Sequence, residues 1–221
     1  MNEKEFLPEP LPSQPFALVA QWLETARANR VQPNPDAMVL ATADDEGNPS
    51  ARVVLCRHLI TDPGFLVFFT NYRSRKGQEL TVRPRAAAVF HWDAMSRQIR
   101  VEGPVVRSPA AESDAYFAHR PLQSRIGAWA SRQSEPLSSR AQLERQVAAA
   151  MEQFGIQPGT HTADIPRPEH WGGFRLWPEA VELWIEGSNR VHERARWTRQ
   201  LAPNDAYSFT PSSWQVTRLN P

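Results

Sequence analysis

The stretch Thr70-Asn71-Tyr72-Arg73-Ser74-Arg75-Lys76-Gly77 sets basic side chains where a predicted strand gives way to a helix. Asn71 or Ser74 can cap that helix, and the free N–H groups and dipole at a helix start attract an anion. Arg75 and Lys76 in the first turn oppose the dipole, so helix stability alone does not explain them. A phosphate held between them and the helix end does, each charge-assisted hydrogen bond contributing about 1.5–3 kcal/mol. The same residues also fit a solvated basic loop. Arg52 and Arg57 lie five apart on one predicted strand and face opposite sides if it is regular. They suit two anions, or plain exposure to water.

Two further groups stand out. Tyr116 and Arg120 are i and i+4, so they share a helix face, with Ser124 following. Phenol, guanidinium and hydroxyl together suit a phosphate, although a Tyr–Arg packing pair uses the same spacing. Arg190, His192 and Arg194, after Trp184, share a face if they lie on a strand. Such groups repel one another in an empty core and are tolerable around an anion or in water. His192 between two arginines is a candidate for orienting a substrate or handling a proton. A lone cysteine and scattered histidines give no zinc-ligand spacing, so no metal is expected. There is no P-loop and no Gly-x-Gly-x-x-Gly. Ser124 and Ser134 lack a nucleophile-elbow context. Cys56, in mid-strand, reads as a small buried hydrophobe.

The elements that must position these groups are mostly short strands. Phe16, Val19, Leu23 and Ala26 fall at helical spacing over residues 16–29. Strands are predicted at 38–43, 51–57, 64–70, 86–92 and 98–106, with a brief helix over 73–83. Closely spaced strands with one short helix inserted predict an antiparallel barrel, mainly β with flanking helices. A helix over 110–119 follows. Ser139 and Gln142 have capping-box spacing ahead of Leu143, Val147 and Met151. After a proline-rich loop over 156–170, strands are predicted at 174–177, 181–186, 191–200 and 214–219. Residues 1–15, rich in proline and charge, read as a mobile arm, and 16–221 as a single domain.

Composition narrows the class. A chain of 221 residues is long enough to build a core without staples. Hydrophobic residues at 41% and charged residues at 22% fit a globular protein. Lys+Arg 25 against Asp+Glu 24 gives no support to a nucleic-acid binder. No apolar run approaches the roughly 18 residues that span a bilayer. The first 15 residues lack the apolar stretch of a secretory signal. With one cysteine, a cytoplasmic location is expected.

In order along the chain, seven pieces resemble the pyridoxine/pyridoxamine 5′-phosphate oxidases. They are Arg52-Val-Val-Leu-Cys-Arg57, Phe69-Thr70-Asn71 with Ser74-Arg75-Lys76, Arg97-Gln98, and Arg120-Pro121 with Ser124 and Ile126-Gly-Ala-Trp129. The others are Ser131-Arg-Gln-Ser134, Pro166-Arg-Pro-Glu-His-Trp-Gly-Gly-Phe-Arg175 and Arg190-Val-His-Glu-Arg194. The resemblance implies a split β-barrel that binds FMN at a homodimer interface. Arg52, Val53, Val54, Leu55, Phe69, Thr70, Arg75 and Lys76 would hold FMN, Arg75 and Lys76 at its phosphate. Gln98 would lie at the flavin ring. Gln133, Ser134, Trp184 and Arg194 match flavin contacts from the other subunit. Arg57, Tyr116, Arg120 and Ser124 would take the substrate phosphate. Arg190 and His192 match the pair placed over the pyridine ring.

The implied reaction oxidises pyridoxine 5′-phosphate or pyridoxamine 5′-phosphate to pyridoxal 5′-phosphate, with dioxygen reduced to hydrogen peroxide. Arg57 stands where the family usually has lysine, and Val191 where it usually has leucine. Gly159–Asp164 and Ala202–Pro211 look like loop insertions. Rival readings are a flavin oxidase of the same fold acting in phenazine biosynthesis, and a non-catalytic flavin- or haem-binding split barrel.

Overall fold

Phe16–Ala28 (α1) winds because its apolar residues repeat at helical spacing, and Phe16, Val19, Trp22, Leu23 and Ala26 are all buried on that face. The structure is a computed structural model that describes residues 6–157 and 159–221. Strands Ala37–Ala43 (β1) and Pro49–Leu55 (β2) form a hairpin across the Asp44–Asn48 turn, where Asp44 accepts from the backbone N–H of Glu46 and Asn48. His58–Ile60 (β3), Phe65–Asn71 (β4), helix Arg75–Val82 (α2), Arg85–Trp92 (β5) and Arg97–Arg107 (β6) follow. Three helices come next: Ala110–Ala118 (α3), Leu122–Ala130 (α4) and Arg140–Gln153 (α5). The chain then returns as Trp171–Leu176 (β7), Ala180–Ile185 (β8), Glu193–Thr198 (β9), Leu201–Pro203 (β10), Phe209–Pro211 (β11) and Gln215–Arg218 (β12).

All pairings are antiparallel, and the main sheet runs β12-β9-β8-β6-β5-β1-β2. It curls into a half-barrel around Leu40, Ala88, Phe90, Ile99, Val101 and Leu183, with α1 packed on the same core. The barrel splits at β6. Arg97–Glu102 pairs with β8, while Val105–Arg107 pairs with β7, which carries β4 and β3. Gly103 sits at the parting, where an added Cβ would meet the carbonyl oxygen of Trp177 at 2.0 Å. Only a residue without a side chain lets the returning backbone approach that closely.

Several expectations change. β2 ends at Leu55, so Arg57 is not on the strand of Arg52. Arg190 belongs to a single 3-10 turn, Ser188–Arg190, and the strand predicted at 191–200 begins only at Glu193. Asn189 and Arg190 have φ of 57° and 67°, which breaks the alternation that put 190, 192 and 194 on one face. α4 was not anticipated. It starts after Pro121 and buries Leu122 and Ile126 in a satellite core with Ala150, Ile156 and Ile165. Part of the predicted insertion over 202–211 forms the β10–β11 hairpin, whose Phe209 packs on Trp177. Residues 6–15 of the predicted arm lie against the barrel. Leu7 is buried, and the Pro12 carbonyl accepts from Trp197 Nε1 at 2.8 Å. Residues 1–5 of that arm, and residue 158 of the 156–170 loop, lie outside the described residues. Among the described residues, no helix is long and apolar enough to cross a membrane.

Gly103→Ala should destabilise the fold by about 1–3 kcal/mol, because the clash is with backbone and cannot rotate away. Urea denaturation of the two proteins measures it. An unchanged midpoint would show that the parting of β6 tolerates a side chain.

Candidate active site

β2, β4 and α2 meet around a cavity of about 290 Å³ lined by Arg52, Val53, Val54, Leu55, Arg57 and Phe69, together with Thr70, Lys76, Tyr116, Arg120, Gln133 and Trp171. Ser74 caps α2 by accepting from the Gly77 N–H, as the capping argument expects. Gly77 is required there, since a Cβ would meet the Tyr72 carbonyl oxygen at 2.2 Å. The tight turn drives Lys76 inward. Its Nζ donates to Gln133 Oε1 at 2.7 Å, Thr70 Oγ1 at 3.2 Å and Ser74 Oγ at 3.2 Å. All three acceptors are neutral. Burial, with Arg52 nearby, pushes the Lys76 ammonium down to about 8.

Arg52 crosses from β2 to β1. Its Nη1 donates to Thr42 Oγ1 at 2.5 Å and to the Leu40 carbonyl at 3.2 Å. Its Nη2 reaches Glu79 Oε2 at 3.2 Å. Arg75 turns outward, pairs with Glu79 at 2.8 Å through Nε, and does not line the cavity. Glu79, which sequence reasoning did not single out, is therefore the carboxylate common to Arg52 and Arg75. Burial alone would raise its carboxyl. Hydrogen bonds from Thr42 and Ser50, with Arg75 and Arg52, outweigh that and hold it at about 2.

The far end of the cavity is built on stacked rings. Phe69 and Tyr116 lie 3.9 Å apart at 6°, and Trp171 stacks on Phe69 at 5.5 Å. The Arg120 guanidinium sits over Trp171 at 4.5 Å. Arg120 lies just past the end of α3, so it reaches the cavity beside Tyr116 from a turn and not from a shared helix. Its Nη1 is buried without a hydrogen-bond partner among the described residues. Burial lowers its pKa, with Tyr116 opposing and Arg57 adding to the fall. Among the described residues neither Arg57 nor Arg120 has a carboxylate partner. Trp171 lines the cavity and is the second residue, after Glu79, that sequence reasoning did not assign. It lies in a quoted motif, but nothing in that motif marks an indole as a platform for a cation. Ser124 sits on α4 and does not line the cavity. Cys56, beside Arg57, is buried, and desolvation with Asp36 pushes its thiol up to about 12.

The remaining predicted residues form a second group. Gln98, Trp184 and Arg194 are cross-strand neighbours on β6, β8 and β9. Arg194 is held by Glu182 through Nε at 3.0 Å and Nη2 at 2.8 Å. His192 packs on Trp184 with ring centroids 4.7 Å apart, and its Nδ1 accepts from the Gly187 N–H at 3.1 Å. The neutral ring then carries its proton on Nε2. A Cβ on Gly187 would meet the Val191 carbonyl oxygen at 1.5 Å, so glycine is needed to fold the turn that carries Arg190. This row shares the outward face of the sheet with Val39, Val53 and Arg100, opposite the inward row of Leu40, Arg52 and Ala88. β6 is also three strands from β2, about 14 Å at the usual strand spacing. Gln133, expected from another subunit, instead lies in the cavity of its own chain. Ser134, at φ 75°, lines a neighbouring hollow with it.

The sequence profile described as pyridoxamine 5′-phosphate oxidase matches residues 25–154. A profile described as the pyridoxine 5′-phosphate oxidase C-terminal dimerisation region matches residues 171–221. A pyridoxine/pyridoxamine 5′-phosphate oxidase of Paraburkholderia phytofirmans is 48% identical over 207 residues, 94% of this chain and 89% of that protein. One of the same name from Burkholderia lata is 46% identical with the same coverage. Among solved structures, PhzG from Burkholderia lata, in complex with tetrahydrophenazine-1-carboxylic acid, is similar with a TM-score of 0.80 at 31% identity, covering 95% of this chain and 94% of that one. A pyridoxamine 5′-phosphate oxidase-related, FMN binding protein of Nostoc punctiforme shares the fold, with a TM-score of 0.65 at 18% identity over 93% of this chain and 96% of its own.

Lys76 loses its proton as the pH rises through about 8, so affinity of the cavity for a phosphate monoester should fall across that range. Arg52→Gln removes a neighbouring cation and should move the Lys76 midpoint upward. NMR titration of labelled lysine reads both proteins, and a midpoint near the ordinary lysine value in the parent would refute the assignment.

Proposed function

The chain belongs to the pyridoxamine 5′-phosphate oxidase family, and from that premise we propose that it converts pyridoxine or pyridoxamine 5′-phosphate to pyridoxal 5′-phosphate. The supporting observation is one cavity holding two separate groups of cations: Arg52 and Lys76 at one end, Arg57 and Arg120 at the other. The fit to FMN rests on Lys76, a buried ammonium with only neutral acceptors, and on Arg52 beside it. Arg52, Thr70 and Lys76 would hold its phosphate side, while Arg75 stays paired to Glu79 outside the cavity lining. When bound, FMN would accept a hydride from the substrate carbon and pass two electrons to dioxygen, giving hydrogen peroxide.

The protein's own contribution is position and charge. The orphaned Nη1 of Arg120 and the exposed Arg57 face a substrate phosphate, while Tyr116 supplies a hydroxyl. Arg190 and His192 orient the pyridine ring. Because Gly187 occupies His192 Nδ1, the imidazole donates through Nε2. Arg190 holds the oxygen or nitrogen substituent of the reacting carbon in place while that carbon gives up its hydride. With the amine substrate, loss of two electrons and two protons gives an imine, and water releases ammonia.

Within one chain, none of Gln98, Trp184, Arg190, His192 and Arg194 lines the cavity. The proposed site therefore needs a homodimer, in which Trp184, Arg190, His192 and Arg194 of one protomer approach the cavity of its partner. These residues fall inside the span matched by the C-terminal dimerisation profile. The likeness to PhzG carries a second reading, a flavin oxidase with a phenazine-type substrate. Such a substrate offers no phosphate to Arg57 and Arg120, which favours the first reading.

Protein loaded with FMN should release hydrogen peroxide with pyridoxamine 5′-phosphate in air, and far less with pyridoxamine. Arg120→Ala should raise KM about 10-fold or more, the loss of one or two charged hydrogen bonds. Arg190→Ala should lower kcat while flavin content stays near that of the parent. Flavin-loaded protein inactive on both phosphorylated vitamers would move the assignment to the phenazine-type or the non-catalytic reading.

A further inference from the structure

We propose that Glu79 is the positioning residue of the cofactor-phosphate cradle, fixing Arg52 and Arg75 on one carboxylate and matching the cradle's charge to a dianion. The inference rests on the reading of this cavity as an FMN site. Glu79 lies in the middle of α2 with its side chain only 5% exposed. A buried carboxylate is costly to keep unless it is paired and hydrogen-bonded. This one is saturated. Oε1 accepts from Arg75 Nε at 2.8 Å and Ser50 Oγ at 2.9 Å. Oε2 accepts from Ser50 Oγ at 2.7 Å, Arg52 Nη2 at 3.2 Å and Thr42 Oγ1.

The hydrogen bonds also have a direction. Arg52 donates to Thr42 and Ser50, and both hydroxyls donate onward to Glu79. The guanidinium is thus held at both nitrogens and cannot swing away from the sheet. An ordinary i,i+4 surface pair between Arg75 and Glu79 would not need burial, nor two hydroxyls from β1 and β2. Charge count gives the second reason. Glu79 offsets the charge of Arg75, which lies outside the cavity lining, leaving the two charges of Arg52 and Lys76 to meet a phosphate dianion. The charged groups around Lys76 are Arg52 on β2 and Glu79 on its own helix, and Glu79 is the one that favours its protonated state.

The test compares FMN with riboflavin, which lacks the phosphate, by flavin fluorescence quenching on the parent and on Glu79→Gln. FMN affinity should fall at least about 10-fold in the variant while riboflavin affinity changes less than 2-fold. The pH midpoint of FMN binding should move below its parent value, because Lys76 loses a neighbour that keeps it charged. Glu79→Asp should recover part of the loss. The double substitution Thr42→Val with Ser50→Ala keeps the carboxylate but removes both hydroxyl bridges to Arg52, leaving only the direct 3.2 Å contact, and should show the same selective loss in part; this decides the matter if Glu79→Gln does not fold. Equal losses for FMN and riboflavin, or an unchanged FMN affinity and pH profile, would overturn the inference. A parent protein with no preference for FMN over riboflavin would overturn the cofactor reading and this inference together.

Discussion

Positive charge held partly out of water, with too few carboxylates to neutralise it, is the condition around which this chain is organised. A buried cation loses hydration and regains it only from a partner. The depressed titration of Lys76 and Arg120 is that cost made visible. Stability alone would favour apolar side chains at these places. An anion entering the cavity would relieve that cost, which would couple binding to local stability. Glu79 limits the cost at one end. At the other, stacked rings replace a carboxylate, and Arg120 rests on the face of Trp171.

The period of the β-strand imposes the second constraint. Alternate residues face opposite sides, so the row Gln98–Trp184–Arg194 lies on the sheet face opposite to Arg52 in its own chain. The outward face also exposes Val39 and Val53, apolar side chains at the same end of the sheet as the cavity. A second copy covering this face would hide that apolar surface and carry its own outward row toward the cations. Symmetry, apolar burial and completion of the site would then be one event.

Much of this was legible in the sequence because it rests on local rules. The Ser74 cap, the basic turn after β4 and the α1 stripe follow from spacing over three or four residues. What escaped depends on distant partners. Glu79 looks like an ordinary helix-surface acid until β1 and β2 bring Thr42 and Ser50 against it. Arg57 and Arg190 were placed by extending strands too far. Both strands are broken by backbone events, the end of β2 at Leu55 and the left-handed pair Asn189–Arg190, which alternation of side chains does not signal. Helix α4 was hidden because its burial depends on Ile165 from the later loop.

The environment of Cys56 has a consequence for durability. If the proposed oxidation runs in this cavity, the peroxide it releases would meet nearby sulfur, and the thiolate is the form that reacts. With its thiol pushed up to about 12 by burial, Cys56 stays protonated at neutral pH. Burial would then shield the chain's sole sulfhydryl from that peroxide, although it lies one residue from an arginine that lines the cavity.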